Sequence, residues 1–92
     1  MNWKRSGRRL MYVNGIGYNI MWIVNDIKDY EYHVLFEVHS FDMHTLADIE
    51  QLVPHTTITM PSDYCELEIV AQIMQYIRKH YRHLCPYVCI NN

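Results

Sequence analysis

The chain has 92 residues, half of them hydrophobic, with eight tyrosines and a formal net charge of −2. That length fits one domain, which hides roughly 60–65% of the surface its unfolded form would expose. The balance is not that of a strongly basic nucleic-acid-binding domain, and three cysteines without framework spacing are not a disulfide scaffold.

Charge is segregated along the chain. Residues 1–25 carry four bases and no acid; residues 26–68 carry all ten acids and one base, Lys28; residues 69–92 carry three bases. Such separation steers partners electrostatically. Lys4, Arg5, Arg8 and Arg9 precede a mostly apolar stretch, Leu10 to Val24, in the manner of a signal peptide or anchor. Asn14, Gly15, Gly17 and Asn19 interrupt it, and it is shorter than a membrane span. A β-hairpin accounts for the same residues, so no membrane attachment is expected, and cysteine usage points to a reducing, cytoplasmic setting.

Residues 1–8 read as a basic N-terminal arm. Residues 9–13 and 16–24 read as hairpin arms around Asn14-Gly15, since a type I′ turn needs φ > 0 at both central positions. Ile20, Trp22 and Val24 fall on one face of the second arm, Met21 and Ile23 on the other. Asn25-Asp26 and Lys28-Asp29 mark the next turn. The following strand alternates strictly: Tyr30, Tyr32, Val34, Phe36 and Val38 on one face, Glu31, His33, Leu35, Glu37 and His39 on the other. Residues 9–39 thus form a three-stranded antiparallel meander. The apolar positions Met43, Leu46, Ala47, Ile49 and Val53, followed by Pro54, predict a helix over 41–53, capped by Ser40 or Asp42. His55 to Met60 is β-branched and fits an edge strand or an extended loop equally. A long helix is predicted over 62–85, with Ser62 as N-cap and Leu67, Val70, Met74, Ile77, Tyr81 and Leu84 as its apolar stripe; Pro86 stops it. Residues 86–92 form a tail in which Tyr87 to Ile90 suit a last short strand. The expected fold is a two-layer α+β domain, an antiparallel sheet of three to five strands with two helices packed on one face.

Catalytic motifs are missing. Gly15-Ile16-Gly17 lacks a third glycine and sits in a hairpin, and no P-loop, G-x-S-x-G, HExxH or CxxC occurs. The expectation is a non-enzymatic binding or regulatory protein. Asp26, Asp29, Glu31, Glu37, Asp42, Asp48 and Glu50, with His33, Leu35 and His39, offer an acidic segment and a mixed sheet face suited to another protein's basic surface, such as a nucleic-acid groove. Small viral or phage inhibitors share this general character. The surplus of apolar residues is also compatible with a homodimer.

Two further readings concern the ends of the chain. Lys4, Arg5, Arg8 and Arg9 with Arg78, Lys79 and Arg82 would bind nucleic acid if the arm met the end of the long helix, with Trp3, Tyr76 and Tyr81 for stacking. Bases at a helix C-terminus also complement its dipole without any ligand. His80, His83, Cys85 and Cys89 are the residue types zinc takes in a tetrahedron, and a zinc-stabilised domain is the third reading. Their spacing matches no known finger, and small apolar cysteines beside helix-end histidines explain the same residues. On the mixed strand face, Glu31, His33, Glu37 and His39 make acid–base pairs, yet nothing in the sequence supplies a further metal ligand.

Overall fold

In a computed structural model, residues 5–88 are described. Strands β1 (Ser6–Val13), β2 (Ile16–Lys28), β3 (Glu31–Asp42) and β4 (Asp48–Pro61) form one antiparallel sheet in the order β1-β2-β3-β4. Helix α1 (Glu66–His80), a 3₁₀ turn (Arg82–Leu84) and a short helix α2 (Cys85–Val88) complete the fold. The two-layer α+β architecture agrees with expectation.

Two tight turns set the first three strands. Asn14 and Gly15 take φ of 52° and 81°, and Asp29 and Tyr30 take 54° and 63°. Both pairs are two-residue hairpin turns with the twist that matches the strands. Tyr30 is therefore a turn residue, 90% exposed, rather than the first residue of the inward strand face. β2 runs on to Lys28 past a register shift between Val24 and Asp26, so Asn25-Asp26 is an irregularity within a strand and not a turn. The basic arm is also shorter than drawn, since Ser6 to Arg8 already pair with Ile23 to Met21.

The helix predicted over 41–53 does not exist. Asp42 ends β3, its carboxylate accepts the backbone N–H groups of His44 and Thr45 at 2.8 and 3.0 Å, and the chain turns back into β4. The pairing of β4 with β3 slips at three places, between Phe36 and Val38, Val38 and His39, and Ser40 and Phe41. Each bulge inserts a residue and breaks the period of two. Met43, Leu46 and Ala47 lie in the turn before β4, and Ile49 and Val53 in the bulged strand; together their spacing imitates a helix. Pro54 is tolerated because β4 is an edge strand, and His55 to Met60 belong to that strand.

Helix α1 starts at Glu66 rather than just after Ser62. The Ser62 N–H donates to the Tyr30 carbonyl at 2.9 Å, which ties that residue to the preceding turn. Cys65 is the N-cap, and its N–H donates to Glu68 Oε1 at 2.9 Å. Ile69, Val70, Ile73, Met74 and Ile77 are its buried residues, while Leu67, placed on the predicted stripe, is 76% exposed. The helix ends at His80. Pro86 lies in the first turn of α2, where its missing N–H costs nothing, so it begins a helix instead of ending one. Tyr87 and Val88 are helical; Cys89 and Ile90, the rest of the expected last strand, lie outside the described residues.

One core holds the layers together. Ile20, Trp22 and Val24 of β2, Val34, Phe36 and Val38 of β3, Val53 and Met60 of β4 and the α1 stripe are all buried in it. Tyr76 meets Phe36 edge-on at 5.6 Å, and Tyr87 of α2 stacks on Tyr18 at 5.3 Å. Both helices thus cover the same sheet face. On the other face Phe41 is buried by lying over Gly17, directly opposite in register, with Tyr12 edge-on at 6.2 Å. A Cβ on Gly17 would overlap the outer carbons of the Phe41 ring. Gly17→Ala is expected to lower stability by roughly 1–3 kcal/mol, measured by urea unfolding with the far-UV spectrum unchanged.

Candidate protein-binding face

Antiparallel register decides which side chains share the sheet face that no helix covers. Across the strands it carries the rows Lys28–Glu31–Pro61, Asp26–His33–Thr59, Ser6–Ile23–Leu35–Thr57, Arg8–Met21–Glu37, Leu10–Asn19–His39–Gln51 and Tyr12–Gly17–Phe41–Asp48. Among the described residues no element packs across these rows. Met21, Ile23 and Leu35 are half-buried side by side and, with Glu37 and His55, line a shallow depression. A second depression at the hairpin end is lined by Leu10, Tyr12, Phe41 and Leu46 between Arg8 and Asp48.

The polar centre of this face is Glu37. Its Oε2 lies 2.6 Å from His55 Nε2 and 3.2 Å from His39 Nε2, and accepts a hydrogen bond from Gln51 Nε2 at 3.0 Å. The His39 nitrogen is buried and close enough for attraction but poorly aligned, and it makes no full hydrogen bond; Asn19 Oδ1, on the residue directly opposite, is likewise buried without one. Among the described residues no three His, Cys, Asp or Glu side chains are arranged to hold a metal ion. His55 is the residue that sequence reasoning missed. It comes from β4 at the first register shift, between the partners of Phe36 and Val38, and carries no sequence signal.

Of the expected acidic surface, Asp26, Glu31, Glu37 and Asp48 share this face with His33, Leu35 and His39. The rest do not join them. Asp29 is in the tight turn, Asp42 caps its own turn from the row of Ile16, and Glu50 pairs with Ser40, which places both on the helix-covered side. The basic residues are divided too. Arg8 is on the uncovered face and Arg9 on the other, because strand neighbours point oppositely. Arg5 donates to the Tyr64 carbonyl at 3.0 Å and lies over the Tyr32 ring, fastening the sheet to the loop before α1. Arg78 and Lys79 are exposed at the end of α1 and Arg82 in the 3₁₀ turn; Lys4 lies outside the described residues. Both ion pairs among the described residues are histidine–carboxylate pairs, so no arginine or lysine there neutralises an acid.

The proposed zinc ligands are spread over three elements. His80 ends α1 against the Tyr76 ring at 4.2 Å, His83 sits in the 3₁₀ turn, and Cys85 opens α2 half-buried against the core. Cys89 lies outside the described residues. No helix among the described residues is long and apolar enough to cross a membrane.

Partial burial raises the Glu37 pKa, but the His39 and His55 imidazoles outweigh it and hold the carboxyl below its ordinary value of 4.5. A carboxyl lowered by folding adds stability above the unfolded pKa and loses it as pH falls through the folded one. Glu37→Gln is therefore expected to be less stable than wild type near pH 6. The difference should shrink as pH falls below 4.5, read from thermal unfolding at a series of pH values. A gap that persists at low pH would assign the effect to packing.

Comparison with protein-family models, with curated proteins and with solved structures returned no match.

Proposed function

We propose that this chain is a non-enzymatic regulatory protein that inhibits another protein by docking its uncovered sheet face on a basic, nucleic-acid-binding surface. The reading rests on one observation: a sheet face that no element among the described residues covers combines the apolar floor Met21, Ile23 and Leu35 with a frame of Asp26, Glu31, Glu37 and Asp48. Among the described residues, Arg8 and Lys28 are the arginine and lysine side chains on that face, against those four carboxylates. An apolar centre with a charged rim is how protein interfaces are commonly built, and the rim charges select a partner of opposite sign. Cys65 and Cys85 are free thiols, which supports an intracellular setting for that partner.

Leu35→Lys and Glu37→Lys alter this face without entering the core. In extracts of the source cells, immobilised wild-type protein should retain a protein released by rising salt. The double variant should bind that protein about tenfold less tightly or worse, while still unfolding cooperatively, at a temperature lowered by the loss of the Glu37–histidine contacts. Retention of nucleic acid alone would replace this reading with the basic-segment one. Equal retention by the variant would place the docking surface elsewhere.

A further inference from the structure

The two sheet edges are built differently. β4 is a poor template for another strand, because Pro54 and Pro61 lack N–H groups and its pairing slips three times. β1 has no proline, and all eight residues pair with β2 without a shift. The Val24 N–H donates to the Arg5 carbonyl at 2.6 Å. Backbone groups alternate sides along an antiparallel strand, so Gly7, Arg9, Met11 and Val13 also face β2. Ser6, Arg8, Leu10 and Tyr12 then direct their N–H and C=O groups away from the sheet. All four are exposed, and among the described residues no strand pairs with that edge.

Charge selects what fits there. Arg8 and Arg9 project on opposite faces of the strand, and neither is in an ion pair among the described residues. A second copy fits badly. The two-fold antiparallel pairing that engages all four outward residues sets Arg9 against the copy's Arg9, and like charges directly opposite are destabilising. A segment carrying two consecutive carboxylate residues meets both arginines, one on each face, because its own neighbours alternate in the same way.

We propose that the free edge of β1 accepts an extended acidic segment of another protein, which adds as a fifth strand with consecutive Asp or Glu residues opposite Arg8 and Arg9. Main-chain hydrogen bonds to Ser6, Arg8, Leu10 and Tyr12 hold the segment, and the arginines choose it. This edge borders the sheet face described above and shares the Arg8 side chain with it, but it is read by backbone amide protection rather than by retention of a cell protein, so either reading can fail without the other.

The probe is a capped eight-residue peptide of alternating valine and threonine around a central Glu-Glu pair, added to the full chain. Backbone amides of Ser6, Arg8, Leu10 and Tyr12 should exchange more slowly when it binds. A peptide with Lys-Lys at the centre, or the R8E/R9E variant, should bind about tenfold more weakly. Leu10→Pro should abolish binding and keep the thermal transition, since the Leu10 N–H points away from β2; should it unfold, the arginine reversal decides. The proposal is overturned if the Glu-Glu peptide leaves those amides unprotected, or if the Lys-Lys peptide binds as well. It is equally overturned if the amides are already slow in the free monomer, or become so with rising protein concentration, which would assign the edge to this chain itself.

Discussion

The period-two alternation of β3 is the constraint on which the rest of the structure depends. A strand sends successive side chains to opposite faces, so Val34, Phe36 and Val38 are buried only if Leu35, Glu37 and His39 point the other way. β2 and β4 flank β3 and must repeat its choice of face. The helical layer then has one place to go, over Ile20, Trp22, Phe36 and Val53. Among the described residues nothing covers the opposite face, and a polar centre on Glu37 sits there among half-buried Met21, Ile23 and Leu35. Core and candidate docking face are two sides of one pattern.

Much of this is legible in the sequence alone. Strict alternation from Glu31 to His39 is a strong signal because chance rarely sustains it, and Asn14-Gly15 states its turn through chemistry that few other pairs share. The failures have equally physical causes. The turn residues Met43, Leu46 and Ala47 run into a bulged strand carrying Ile49 and Val53, and the combined spacing imitates a helix; only the neighbouring strand reveals the bulges. Asp29-Tyr30 makes the same turn as Asn14-Gly15 with a residue type that rarely adopts positive φ, so it passed for strand. Ser62 looked like a helix cap because its backbone commitment to Tyr30 is a long-range contact.

The candidate site was legible in part. Which residues share the face of Leu35 and Glu37 followed from counting by two, and their apolar neighbours Met21 and Ile23 from the hairpin. Contiguity in sequence was the weaker guide. Asp42 and Glu50 belong to the acidic block yet fall on the helix-covered side, and Arg8 and Arg9 are adjacent yet separated by the thickness of the sheet. Partition of charge among surfaces is a property of register, and register is set by turns and bulges. His55 shows the converse, since a residue 18 positions from Glu37 becomes its closest ionic neighbour.

The order of elements along the chain has a consequence for how the molecule is made. Every strand pairs with its neighbour in sequence, so the sheet can zip up hairpin by hairpin with short loops to close. Its lid comes last. Ile20, Trp22, Phe36 and Val38 are all synthesised before the first residue of α1, and a nascent chain that has just completed β4 presents them bare on one side. The interval until Ile77 leaves the ribosome is when this protein is most exposed to aggregation and to chaperones that hold greasy surfaces. A chain stopped within α1 would remain in that state for good.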